Sequence, residues 1–252
     1  MTTSGTTPPI ASGEQDLICV IRTPLRAVDP AQRERNPVIG VMRVILWLFY
    51  KLFYAVEWRY PERVPLTGPI ILAPSHASLY DPFIVSVPVR RHASYFTREF
   101  YFKWPLGPII RYLGAFPVNL RRRFDRQAYE TAKRVLENGG YLCLFPEGTR
   151  TFDGLLGEIK SGVATLAAET GATIIPVSIA GAFEAWPRTR RFPRFCRKIV
   201  VTYHYPVAVR KLDDPQERRR QIAQINDHLQ RALAPRLAAW KDLMSRMRDG
   251  GN

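Results

Sequence analysis

The sequence predicts an α/β domain on three observations. Short apolar runs of strand length recur between residues 61 and 210, each bounded by turn residues. Segments with helical spacing of apolar residues lie between them. Glycines stand where those segments should stop. Alternation of this kind builds a sheet covered by helices. At 252 residues and 46% hydrophobic, the chain has material for a substantial core.

In chain order, residues 1–36 mix Pro, Gly, Ser, Thr and charges without a period, and are expected to form a loosely ordered leader. They lack the basic start, apolar core and small-residue cleavage site of a signal peptide. Residues 37–60, PVIGVMRVILWLFYKLFYAVEWRY, are expected to be a helix that opens on Pro37. Arg43 and Lys51 lie about 80° apart on its wheel, with Trp47, Tyr50 and Tyr54 on or near the same arc. Basic and amphipathic aromatic side chains prefer headgroup level. A centrally placed Lys costs roughly 2.5–3.5 kcal/mol in a spanning helix. The geometry therefore favours a helix lying in the membrane interface over a buried or spanning one.

Residues 61–212 carry the α/β pattern. Pro69–Ala73, Tyr141–Phe145, Thr173–Ile179 and Ile199–Tyr205 have strand composition. Residues 126–137 and 163–170 have helical spacing, punctuated by Gly139-Gly140 and Gly171. In residues 213–252, Asp213-Asp214-Pro215 is a helix start, and Ile222, Ile225, Leu229 and Leu233 form an amphipathic stripe. A break is expected near Pro235.

Thirty-seven Lys and Arg against 22 Asp and Glu leave a formal charge of +15, which calls for an anionic partner. The basic residues are scattered, zinc spacing and RNA-binding aromatic motifs are missing, and the apolar helix has no use in a nucleic-acid binder. An anionic lipid surface fits better. The cysteines at 19, 143 and 196 are odd in number and lack ligand spacing, which implies a reduced compartment and no metal.

Two constellations carry chemistry. Ser75-His76-Ala77-Ser78-Leu79-Tyr80-Asp81 follows the run PIILA, and open α/β sheets place sites at such carboxyl ends. A tight turn can bring the Asp81 carboxylate to the His76 imidazole, fixing its tautomer and stabilising the protonated ring. A histidine with a structural hydrogen bond would use the same spacing. Phe145-Pro146-Glu147-Gly148-Thr149-Arg150 follows a second strand, where turn N–H groups and the Arg fork suit an anionic oxygen or phosphate. A polar turn with a surface Arg is the simpler alternative.

Together these blocks, with Lys160-Ser161-Gly162, Ile175-Pro176-Val177 and Gly181, resemble the glycerolipid acyltransferases that include bacterial 1-acylglycerol-3-phosphate acyltransferases. The resemblance covers about residues 60–210, and FPEGTR alone arises by chance about once in 10⁵ to 10⁶ such chains. It implies a mixed sheet flanked by helices, with the interfacial helix as a membrane anchor. It also implies direct transfer of a fatty acyl group from acyl-CoA or acyl carrier protein to the hydroxyl of 1-acylglycerol 3-phosphate, giving phosphatidic acid. His76 would be the base and Asp81 its partner, with no cofactor beyond the co-substrate. Glu147, Gly148, Thr149, Arg150 and Lys160 would form the substrate site, Glu147 orienting the acceptor or an Arg. The enzyme would sit on the cytoplasmic face as a monotopic or peripheral protein. Other acceptors, such as glycerol 3-phosphate or a lyso-aminolipid, use the same chemistry.

Two departures stand out. Ser75 occupies the place where the family often has Asn, and is expected to bond locally. In Gly114-Ala115-Phe116-Pro117-Val118-Asn119-Leu120-Arg121 the expected Arg is displaced by one residue, which makes Arg121 the substrate-binding candidate with Arg122 and Arg123 as rivals. Arg188, Arg190, Arg191, Arg194, Arg197 and Lys198 form a basic cluster interleaved with aromatics. It reads as a second contact with anionic lipid, a dock for acidic carrier protein, or a solvated loop. A serine hydrolase using Ser75 or Ser78 lacks a G-x-S-x-G elbow. A non-catalytic membrane scaffold leaves His76 and Asp81 without a purpose.

Overall fold

The structure, a computed structural model, describes residues 17–22, 37–103, 106–112, 114–118 and 125–249. Among them nine strands form one mixed sheet. In chain order they are β1 (Ile18–Val20), β2 (Glu57–Arg59), β3 (Ile70–Pro74), β4 (Ala93–Arg98), β5 (Ala115–Val118), β6 (Tyr141–Cys143), β7 (Thr173–Ala180), β8 (Val200–Tyr203) and β9 (Val207–Val209). The centre runs β7-β3-β6-β4-β5 and is parallel throughout. The outer edge of β7 forks. It pairs antiparallel with β9 at Ile174 and with β8 from Val177 to Ala180. β1 extends β9, and β2 runs parallel to β8.

A parallel sheet must be covered on both faces, which is why β3 and β7 are nearly continuous apolar runs. The two-residue period divides their side chains between two cores. Ile70 and Leu72 join one core with Tyr141, Cys143, Ile175 and Val177, and Ile71 and Ala73 join the other with Leu142 and Ile174. Helices α1 (Pro37–Tyr54), α2 (Asp81–Ile84) and α6 (Ala182–Ala185) contribute to the first core. Helices α4 (Arg126–Glu137), α5 (Gly162–Thr170) and α7 (Pro215–Asp249) contribute to the second. The short α3 spans Leu106–Tyr112. α4 begins where Asp125 accepts the Ala128 N–H at 3.2 Å, and α5 ends at Gly171 with φ 71°.

Four sequence expectations meet a different arrangement. The helix expected over residues 37–60 ends at Tyr54, and Glu57–Arg59 is instead a strand paired with Val200–Thr202. Ile18–Val20, inside the stretch read as a loose leader, is a strand paired with Val207–Val209. The C-terminal helix does not break near Pro235 but is continuous over 35 residues. Ile225, Leu229, Leu233 and Leu237 continue the buried stripe on both sides of that proline. Their burial offsets the lost hydrogen bond and clash, about 3 kcal/mol. Finally, α1 is rotated relative to the expected orientation. Tyr50 and Tyr54, placed by sequence toward the headgroups, are buried against the domain. The arc of about 120° holding Val38, Val41, Val44, Ile45, Leu48 and Leu52 is exposed instead, Leu52 by 77%. Among the described residues no helix is long and apolar enough to cross a membrane.

Candidate active site

The carboxyl ends of adjacent strands β7, β3 and β6 bring the motif loops together. β3 and β6 pair with Ile70 opposite Tyr141, and the same offset carried past the strand ends sets His76 opposite Glu147. The Glu147 carboxylate accepts the His76 backbone N–H at 2.7 Å with one oxygen and the Gly157 N–H at 2.8 Å with the other. Thr151 N–H returns a bond to the His76 carbonyl at 2.8 Å. Both backbone groups of His76 are thus held by the second motif. On the β7 side, Ser75 N–H donates to Val177 and its Oγ accepts from Ile179 N–H at 3.0 Å. Ser75 therefore ties β3 to β7 rather than bonding locally.

The side chains complete the turn. His76 Nδ1 lies 2.9 Å from Asp81 Oδ2, which also accepts the Ala77 and Ser78 N–H groups, each at 2.7 Å. Asp81 is wholly buried, and its Oδ1 has no hydrogen-bond partner among the described residues. Its hydrogen bonds to the ring and the turn thus converge on Oδ2. With an anionic acceptor there, Nδ1 carries the proton and Nε2 is left as the basic nitrogen. The ring stacks on Phe145, centroids 3.9 Å apart and planes inclined by 21°. Ser75 and Ser78 are both buried, and Ser78 Oγ accepts from Tyr80 N–H, so neither is presented as a nucleophile. Burial first, and the Asp81 charge second, push the Cys143 thiol well above its ordinary range, which removes it as a nucleophile too.

His76 lines a cleft of about 980 Å³ together with Gly148, Thr149, Arg150, Lys160 and Arg188. Such a volume is at the upper end for a small-molecule site. Its apolar wall comes from Ile39, Met42, Leu46 and Phe49 of α1 and from Val87, Tyr95 and Phe96. Among the described residues, five that line the cleft are Lys or Arg (Arg43, Arg91, Arg150, Lys160 and Arg188) against one acid, Asp125, so the cleft favours an anion. Gly148 has φ 68°, and a Cβ there would stand 3.2 Å from Lys160 Nζ, so the turn needs glycine for conformation and to seat the ammonium. Burial raises the Glu147 carboxyl above the usual range while its two N–H bonds pull it back. Among the described residues no group of three or more His, Cys, Asp and Glu side chains could hold a metal ion.

Of the sequence candidates, His76, Gly148, Thr149, Arg150 and Lys160 share this cleft, with Asp81 behind His76. Glu147 is not among the described lining residues; its two carboxylate oxygens hold the backbone N–H groups of His76 and Gly157. Arg121, Arg122 and Arg123 lie outside the described residues. Sequence reasoning missed Phe145 as the stacking partner, Thr151 and Gly157 as backbone ties, and Arg188 as a cleft residue. Phe145 opens the recognised motif and Thr151 directly follows its Arg150, so both were in view without these roles; nothing local marked Gly157.

The structure thus sets a His-Asp pair at the carboxyl edge of a parallel-centred α/β sheet, beside a basic, apolar-walled cleft. The Acyltransferase family model matches residues 55–180, half of the chain, and the chain belongs to that family. It is similar to the chloroplast 1-acyl-sn-glycerol-3-phosphate acyltransferase of Arabidopsis thaliana, 28% identical over 190 residues, covering 73% of this chain and 52% of that protein. The human 1-acyl-sn-glycerol-3-phosphate acyltransferase beta is 26% identical over 187 residues, covering 71% and 63%. The crystal structure of the 1-acyl-sn-glycerophosphate acyltransferase PlsC from Thermotoga maritima superimposes with a TM-score of 0.59 at 27% identity, covering 76% of each chain. The chain spans about half the length of the plant relatives it matches.

Proposed function

We propose that the protein transfers a fatty acyl group from an acyl thioester, acyl-CoA or acyl carrier protein, to the free hydroxyl of 1-acylglycerol 3-phosphate. The product is phosphatidic acid. The observation that carries the reading is His76 held through Nδ1 by a buried Asp81 in a cleft that also holds Arg150 and Lys160. Nε2 takes the hydroxyl proton as that oxygen bonds to the thioester carbonyl carbon. The tetrahedral intermediate then collapses, the C–S bond breaks, and the leaving sulfur recovers the proton from the imidazolium. Asp81 stabilises that imidazolium while it exists. Gly148, Thr149, Arg150 and Lys160 receive the acceptor phosphate, with the Arg121 segment as a further contributor.

The acceptor and product are lipids, and the exposed aliphatic arc of α1 supports a peripheral position on an anionic membrane surface, at its cytoplasmic face. Because other α1 side chains line the cleft, an acyl chain passes from bilayer to site along one helix.

The test offers a labelled long-chain acyl thioester and a panel of acceptors to the protein in vesicles. Transfer to lysophosphatidic acid is expected, with His76→Ala and Asp81→Asn folded but at least about 10²-fold slower. Near-normal rates in folded His76→Ala would end the mechanism. Transfer confined to an acceptor without phosphate would keep the dyad and discard the roles of Arg150 and Lys160.

A further inference from the structure

We propose that Arg188 is a phosphate-binding residue of this site and completes, with Arg150 and Lys160, the clamp on the acceptor phosphate. The inference rests on the acyl-transfer reading above and assigns a residue that the motifs do not contain. In sequence Arg188 is only the first of six cations. In the structure it differs from the rest, because it alone of the six lines the cleft with His76.

Its position is held from several sides. Arg188 Nη1 donates to the Arg150 carbonyl at 3.2 Å and, at a longer 3.4 Å, to Thr149 Oγ1. The guanidinium carbon stands 3.9 Å from the centroid of the Phe152 ring. The segment is anchored next to the catalytic turn, since the Trp186 ring packs on Tyr80 at 4.9 Å and its Nε1 donates to Arg190 O at 3.1 Å. These bonds use Nη1 and leave the Nε and Nη2 donors of a planar five-donor fork. No ion pair among the described residues involves Arg188. A cation oriented by stacking, with donors left over and no acid beside it, is built for an anion. A phosphate monoester carries a charge of about −1.5 to −2 near neutral pH, more than one cation balances. The carbonyl contact also couples the fork to the Thr149–Arg150 turn, so one phosphate can bridge both. A thioester donor such as acyl-CoA also carries phosphates, and the experiment separates the two sources.

The test measures initial rates in neutral-detergent micelles, which removes the charge of a vesicle surface, varying lysophosphatidic acid and acyl-CoA in turn. Arg188→Ala should raise the acceptor KM about 10- to 100-fold with kcat and donor KM within about twofold. Arg188→Lys should recover part of the loss, having charge without the fork. Arg190→Ala and Arg191→Ala should match wild type. With monoacylglycerol, which lacks the phosphate, Arg188→Ala and wild type should be equal. An unchanged acceptor KM overturns the proposal, as does a kcat loss shared by both acceptors, which would mean a purely structural hold on the turn. A rise in donor KM alone moves the phosphate to the thioester and overturns the assignment to the acceptor. If wild type transfers to nothing, the acyl-transfer reading fails separately. Calorimetry of lysophosphatidic acid binding then still decides, tenfold weaker binding to Arg188→Ala supporting the clamp and equal binding refuting it.

Discussion

Glu147→Gln tests the claim that this carboxylate works through the backbone rather than on substrate. Glu147 is 4% exposed, and its two oxygens accept N–H groups from His76 and Gly157, which lie in different loops. A glutamine keeps the shape but has one acceptor, so one of the two N–H groups must face an NH₂. An orphaned buried N–H costs about 1–3 kcal/mol, and the charge-assisted character of the remaining bond is lost as well. Against this, the substitution removes the desolvation of a buried carboxylate, so global stability changes less than the local geometry does. If about 1.4 kcal/mol of the local loss reaches the transition state, kcat falls about tenfold. Glu147→Ala orphans both donors and should cost about 100-fold with a Tm lower by several degrees. Steady-state kinetics with separate acceptor and donor titrations, beside thermal melts, make the measurement. A folded Glu147→Gln enzyme with unchanged kcat and a raised acceptor KM would refute the bracing role and put Glu147 on the acceptor. The pH dependence adds a check. Burial raises the folded-state pKa of Glu147 above its unfolded value. Its stabilising contribution is therefore full below the unfolded carboxylate pKa and is lost as pH rises through the folded one. Wild type should lose ground to Glu147→Gln across that window.

Three further outcomes are expected. His204, hydrogen-bonded to Ser178, has its pKa lowered to about 4 by burial first and by Arg236, Arg63 and His228 after it. Its contribution is present above about pH 6.5 and lost as pH falls through about 4, an effect of order 3 kcal/mol. His204→Gln should flatten that part of the acid unfolding curve, and an unchanged curve would contradict the assignment. Leu48→Glu with Leu52→Glu should weaken partitioning onto anionic vesicles at least tenfold, since each buried Leu is worth about 1.5–3 kcal/mol, while the melting curve stays put. Equal partitioning would remove α1 as the membrane contact. Pro235→Ala should raise Tm by several degrees, because the helix runs through that position and regains a hydrogen bond; a fall would mean the proline ring packs better than the model of a tolerated clash allows.

How much was legible in the sequence followed from how local each feature is. β3 and β7 could be read because covered parallel strands are continuous apolar runs. The three-residue strands β1 and β2 could not, because they exist only through pairing with β9 and β8, far along the chain. The His76–Asp81 pair was legible from a five-residue spacing that one turn closes. Glu147 was visible as a motif residue, yet its task depends on the β3–β6 register across 71 positions, which no local pattern encodes. α1 failed in a third way. Its wheel offers two arcs that could meet a neighbour, and the choice between them belongs to its packing partner Tyr80, a residue outside the helix.

Tyr80 also explains why these pieces act as one site. It immediately precedes Asp81, its hydroxyl accepts from Tyr54 at 3.0 Å, and its ring packs near Phe49 and Tyr50 of α1 and near Trp186. The helix that carries the exposed aliphatic arc, the turn that carries His76 and the segment that carries Arg188 therefore meet at one side chain. Neighbouring backbone bonds already lock that turn to β7 and to the Glu147 loop. α1 is thus joined to the His76 turn through packed rings and one hydroxyl pair. The apolar wall of the cleft belongs partly to α1, so the helix with the exposed aliphatic arc also shapes the space beside His76. On the proposed function, placing both on one helix would keep the acyl chain out of water on its way from bilayer to site, where each exposed CH₂ would cost about 0.8 kcal/mol.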